Sequence, residues 1–294
     1  MPLSRMRCAK LARIIGVLLV ASALAACSTV KLAYNNLPEF SYWWLDGYLD
    51  FNGAQTPRVR DELAQLLAWH RQNELPKIVA LLQQAQALAA DDFTPAQACA
   101  MSDEIRARLV AVAEHAEPAA TDLALSLGEA QLLQLERKYA KVNADYRKDW
   151  LDRSPERQQE KRYEQLLDRN QDFYGRLEPS QRELLKEQVA RSSFDPHWVD
   201  GERRKRQQET LALLRRFQAE KTPPAEARAA VHAYVQRIAT RPPGPAREQQ
   251  QALLQEGCRN LAALHARTSA SQREQAVRRL KDYERDLVEL MASP

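Results

Sequence analysis

The chain has 294 residues, 43 of them basic and 39 acidic, for a net charge of +4. The surplus lies in the first 26 residues, where Arg5, Arg7, Lys10 and Arg13 stand without an acid. The remainder is balanced, so a nucleic-acid partner has no electrostatic basis. Only 8 residues are Gly, while Leu, Ala, Gln, Glu and Arg dominate. That composition argues against an all-β fold and against disorder, and the length allows one large or two modest domains.

Met1–Lys10 is polar and basic, Leu11–Leu24 is an apolar run, and small residues follow it. This is the layout of a secretory signal, and the run is shorter than the roughly 20 residues of a spanning helix. Leu24-Ala25-Ala26-Cys27 resembles the bacterial lipobox. The resemblance implies cleavage between Ala26 and Cys27, a diacylglyceryl group on the Cys27 thiol and acylation of the new amine. Two acyl chains already anchor a protein stably, so a triply acylated chain would stay on the membrane. No cofactor is expected beyond this lipid. Ser28 stands where inner-membrane lipoproteins often carry Asp, which implies the periplasmic face of the outer membrane.

Residues 27–55 read as a lipidated tether and a short aromatic helix. Seven aromatics fall between positions 34 and 51: Tyr34, Phe40, Tyr42, Trp43, Trp44, Tyr48 and Phe51. Pro38 suits the first turn of a helix, and Gly47 or Gly53 its end. Tyr42, Trp43, Trp44 and Leu45 are consecutive, so one flat face cannot bury them all. Some must meet a second surface or stay exposed, which makes Tyr42, Trp43, Trp44 and Tyr48 candidate partner contacts.

From Thr56 the pattern is helical. Val59, Leu63, Leu66, Leu67 and His70 share one face, and Pro76 should kink or break that helix. Thr94-Pro95 opens another, with Met101, Ile105, Leu109 and Val112 in register. Leu132, Leu135, Tyr139, Val142, Tyr146 and Trp150 form a long amphipathic stripe, as do Ala276, Leu280, Tyr283, Leu287 and Leu290. Ser154-Pro155, Glu178-Pro179, Asp195-Pro196 and Thr222-Pro223 read as further starts. No alternating run supports a strand. The expected fold is all-α, a bundle of about eight to ten helices after a cleaved signal peptide. Its units would be 1–26 (signal), 27–55 (tether and aromatic helix) and 56–294 (body), with any subdivision near 241–245.

Four cysteines are present: Cys8, Cys27, Cys99 and Cys258. Cys8 leaves with the signal and Cys27 is committed to lipid. In an oxidising compartment Cys99 and Cys258 either pair or stay as buried thiols. A bridge would close a loop of roughly 160 residues, worth roughly 5 kcal/mol in the chain-entropy model. It would favour one continuous helical body.

A four-residue pattern recurs: Thr94-Pro95-Ala96-Gln97, Gly128-Glu129-Ala130-Gln131, Glu178-Pro179-Ser180-Gln181 and Ser269-Ala270-Ser271-Gln272. A capping residue followed three places later by Gln is a capping box, and helix punctuation explains it. Leu177-Glu178-Pro179-Ser180-Gln181 also resembles the Leu-Thr-x-x-Gln motif of small periplasmic helical chaperones and metal-stress sensors, with Glu in place of Thr.

Catalytic signatures are missing. His70, His115, His197, His232 and His265 are scattered, and no nucleophile elbow or Gly-rich phosphate loop occurs. No metal site is expected. Acidic pairs such as Asp91-Asp92 and the basic run Arg203–Arg206 read as solvated helix faces, the latter with anionic lipid headgroups as its alternative.

The segment with YNNLP and WWLDGYLDF, followed by Trp69-His70 within a helix, resembles a family of Gram-negative lipoproteins with no assigned activity. The resemblance implies an envelope lipoprotein and transfers no catalytic residue. A likeness to helical lipase foldases stops at Phe194-Asp195-Pro196, where Pro replaces the foldase Tyr. The expected protein is a lipid-anchored periplasmic binding scaffold, chaperone-like or tethering, that holds another envelope protein at the membrane. A purely structural assembly component and a hydrolase with a dispersed site are its rivals.

Overall fold

The structure, a computed structural model, describes residues 29–292. The signal segment and the Ala26–Cys27 position lie outside them. The described residues form twelve α-helices and no strand. They are α1 (Thr29–Asn35), α2 (Leu37–Leu49), α3 (Gln55–Asn73), α4 (Leu75–Ala90), α5 (Pro95–Ser126) and α6 (Glu129–Tyr146). A π-turn, Arg147–Leu151, extends α6. There follow α7 (Pro155–Tyr174), α8 (Pro179–Ala190), α9 (Pro196–Glu220), α10 (Pro224–Ala239), α11 (Pro245–His265) and α12 (Ala270–Ala292).

Twelve exceeds the eight to ten helices expected, in part because Thr29–Asn35, read as tether, is itself a helix. Pro38 separates α1 from α2 at Asn36, and Pro76 separates α3 from α4 at Glu74. Proline lacks the amide that continues a helix, and it restricts the residue before it. Four other Pro-led starts appear where the sequence puts them, and the one expected at Thr222-Pro223 moves by one residue, with Pro223 as cap and Pro224 first in the helix. One stop differs: α2 ends not at a glycine but at Asp50, which takes the left-handed conformation at φ 51°.

The core is divided between two ends of the body. At one end, Leu49, Leu127, Leu132, Leu135 and Leu214 cluster, and through Ala124 they adjoin Phe217, Ala227 and Val231. At the other, Ala89, Tyr174, Leu177, Leu184, Leu185, Leu264 and Ala276 cluster. Helices α3 and α4 run from the first end to the second, and α5 runs back. Helix α12 packs along α4, while α10 and α11 lean on α5. Cys99 of α5 and Cys258 of α11 are joined in a disulfide, their Cα atoms 5.4 Å apart.

Helix α5 departs from the expected register. Ile105 and Leu109 point outward, Leu109 being 67 % exposed, and the buried positions are Ala98 and Thr121. Small residues let neighbours approach α5 closely, so its packed face is set by size as well as by hydropathy.

Candidate partner-binding site

Helix α2 is fixed to the body by one flank. Tyr42 and Leu49 are buried, and the Tyr42 hydroxyl shares a 3.1 Å hydrogen bond with Thr56 Oγ1. Tyr48 is half-buried against Tyr139 of α6, ring centroids 6.2 Å apart. Just upstream, the Tyr34 hydroxyl lies 2.9 Å from His70 Nδ1. Burial raises the Tyr34 pKa and lowers that of His70, so both groups meet in their neutral forms.

The opposite flank of α2 is uncovered. Trp43 and Trp44 are each 62 % exposed, and Leu37 and Phe40 are exposed beside them. At roughly 100° per residue these four side chains share one third of the helix circumference. Of the four candidate contacts, then, Tyr42 is packed inside, Tyr48 sits at the edge, and Trp43 and Trp44 face outward. The sequence rule that one face could not bury them all describes this split.

A second feature was not legible. Between α3 and α5 an open groove encloses about 690 Å³. Val59, Leu63 and Leu66 form one wall, Ala116, Ala119, Ala120 and Leu123 the other, and Leu45 of α2 closes one end. The walls are antiparallel. Gln55 Nε2 donates to the Ser126 carbonyl at 3.1 Å, Arg58 pairs with Asp122 at 2.7 Å, and Trp69 stacks on His115 with centroids 3.9 Å apart. From Gln55 to Leu66 the α3 lining spans three helical turns, roughly 16 Å. Three alanines on the α5 wall leave space that larger side chains would fill. Periodicity marks Leu63 and Leu66 as apolar, but cannot say that they stay half-exposed along a groove.

The head of this groove is held by two glutamines. Gln131 Oε1 accepts the Gly128 amide of its own cap, and Gln55 Oε1 accepts the Asn52 amide in the same way. Each side-chain amide then donates to the other's oxygen, at 3.2 and 2.8 Å. Gln131 Nε2 also reaches the Leu49 carbonyl at 3.0 Å. The same clasp recurs at the other end. Gln181 and Gln272 accept from the caps Glu178 and Ser269 and donate to one another at 2.7 and 3.0 Å. Their remaining donors meet the carbonyls of Arg267 and Arg176. The recurring cap-x-x-Gln pattern is therefore helix punctuation that also joins distant helices in pairs. Gln97 stays within its own capping box. The helical pattern read from Thr56 leaves Gln55 out, whereas the helix begins at Gln55 itself. Asn52-Gly53-Ala54-Gln55 carries the same spacing and would have revealed it.

Behind the second clasp, His265 is fully buried. Its Nε2 faces the Asp91 carbonyl at 2.9 Å, and its Nδ1 faces the Tyr174 hydroxyl at 2.9 Å. A carbonyl only accepts, so Nε2 carries the proton and Nδ1 accepts from the phenol. Burial pushes the Tyr174 pKa up to about 12 and lowers that of His265. The pair is thereby kept neutral and serves as internal structure.

Among the described residues no group of three or more His, Cys, Asp or Glu could hold a metal ion. Among them, too, no helix is long and apolar enough to cross a membrane. The fold and groove define an all-α protein with an open, helix-flanked slot beside an aromatic N-terminal helix. The model of a family of unknown function, DUF6279, matches residues 47–222, and the chain belongs to that family. No curated protein matches it, and no solved structure does.

Proposed function

We propose that this chain is a lipid-anchored binding scaffold on the periplasmic face of the outer membrane, holding another envelope protein close to the bilayer. The lipobox-like Leu24-Ala25-Ala26-Cys27 supports the anchor, with diacylglycerol and an N-acyl chain on Cys27. The observation that carries the binding role is the open groove between α3 and α5. Its walls are antiparallel helices with matched apolar stripes, the shape that receives the apolar face of an amphipathic helix. Arg58 and Glu62 on its rim carry opposite charges, which would orient an incoming helix. Trp43 and Trp44 lie apart from it, on the uncovered flank of α2.

The test is photo-crosslinking in intact cells from Leu63, which lines the groove, compared with Trp43. One dominant protein adduct from Leu63, abolished by Ala119→Trp, supports the scaffold. A broad spread of unfolded envelope proteins from Leu63 moves the reading to a chaperone. Unchanged adducts with the groove filled by Ala119→Trp overturn it in favour of a purely structural component.

A further inference from the structure

The proposed anchor leaves open what the outer flank of α2 touches. We infer that this flank seats on the bilayer surface, with Trp43 and Trp44 at the headgroup–acyl boundary. The inference rests on the lipid-anchored reading. Three observations carry it. The first is position. The described chain begins at Thr29, two residues beyond Cys27, and α2 begins at Leu37. Ten residues at 1.5 to 3.4 Å each place α2 within roughly 15–35 Å of the anchored sulfur.

The second is composition. The uncovered third of α2 holds Leu37, Phe40, Trp43 and Trp44, two aliphatic or phenyl side chains and two indoles. Indoles bury an apolar body and keep an N–H for water or headgroup, which is why they collect at membrane interfaces. A surface helix with this composition lies in the interface plane rather than across it. Leu32 on α1 is exposed as well and would add to the same contact.

The third is charge. Arg60 of α3 lies over Tyr42 at 4.3 Å and over Trp43 at 5.9 Å. On the other border, Lys138 of α6 lies over Tyr48 at 5.1 Å. Lys138 is placed to meet a phosphate while the rings enter the interface, whereas the Arg60 charge is shared with Glu39 of α2 at 3.2 Å. Leu45 and the buried Tyr42 and Leu49 occupy the opposite flank. Seating α2 in this way leaves the α3–α5 groove free to the periplasm.

The experiment uses the full chain, purified from membranes and reconstituted into vesicles of phosphatidylethanolamine and phosphatidylglycerol with brominated acyl chains. Bromine quenches tryptophan only at the interface or below. The wild-type chain should be quenched, and Trp43→Phe/Trp44→Phe should lose at least about two thirds of that quenching while still floating with the vesicles. In Trp69→Phe/Trp150→Phe/Trp198→Phe, which retains only Trp43 and Trp44, emission should shift to the blue on reconstitution. Equal quenching in wild type and Trp43→Phe/Trp44→Phe overturns the seating, as does unshifted emission from the two-tryptophan chain. A protein adduct from Trp43 in intact cells, with no bromine quenching, assigns the flank to a partner and also overturns it. The mass of the N-terminal peptide separates the two readings. An unmodified Cys27 removes the anchor and this inference together, whereas acylated Cys27 with unquenched tryptophans removes the seating alone.

Discussion

The two glutamine clasps are built alike and stand in different surroundings. Gln181 and Gln272 close a filled end, with Leu177, Leu184, Leu264 and the buried His265 packed behind them. Gln55 and Gln131 have Leu132 and Leu49 on one side and the open groove on the other. Each joint satisfies two helix caps and two loop carbonyls, work that would otherwise leave buried polar atoms unpaired. At one end the joint completes a core. At the other the joint ties α3 to α6, while Gln55 also donates to the Ser126 carbonyl of α5 and so sets the spacing of the groove walls at its head. A clasp made of polar groups can keep a cleft open, because its geometry comes from hydrogen-bond directions and not from packing.

The contrast can be broken by experiment. Removing the disulfide should have the largest effect on the whole body. Cys99→Ala/Cys258→Ala is expected to lose about 3–5 kcal/mol, read from urea unfolding. Next come the clasps. Gln181→Ala should cost about 2–3 kcal/mol, since Gln181 is 1 % exposed and its loss strands the Glu178 amide and the Arg267 carbonyl. Gln55→Ala should cost only about 1–2 kcal/mol, because water entering through the groove can take over its partners. Equal losses would mean that the groove end is as closed as the other.

Acid should act next, and chiefly at the filled end. An unfolded histidine takes its proton near its ordinary 6.5, while burial holds folded His265 below that. Between the two values the unfolded state binds more protons, so stability present above about pH 6.5 is lost as pH falls. His70, also lowered by burial, contributes with the same sign. Unfolding midpoints at pH 7.5 and 5.5 should show the loss, and His265→Asn should flatten it more than His70→Asn. The smallest effect belongs to the outer flank of α2. Trp43→Ser/Trp44→Ser should change stability by no more than about 0.5 kcal/mol. A larger loss would show that those indoles hold α2 to the body, which contradicts the division of its flanks.

Much of this architecture was legible from residues alone. Proline placement and apolar spacing gave the helices, since both act within a few residues. The Cys99–Cys258 link was one of two alternatives that the cysteine count left open. The cap-x-x-Gln pattern was visible as punctuation, yet nothing local says that Gln181 will find Gln272, because their pairing depends on how seven intervening segments fold. The groove was hidden for the same reason. Leu63 and Leu66 share an apolar face, and only the assembled body shows that this face lines a groove towards α5. Ile105 and Leu109 misled in the opposite direction, since periodicity reports an apolar face without naming what covers it.

The partnering of distant helices sets a timetable for the chain. Helix α4 has its closest companion in α12, nearly two hundred positions later, and Lys31 of α1 forms an ion pair with Glu289 of α12. At a synthesis rate of about 5–20 residues per second, α12 follows α4 by roughly ten to forty seconds. Throughout that interval α4 lacks the helix it packs against most, although α2 and α3 already have α5 and α6 to settle on. The filled end is thus the part whose completion waits on the last helix, while the groove walls can assemble from the first half of the chain.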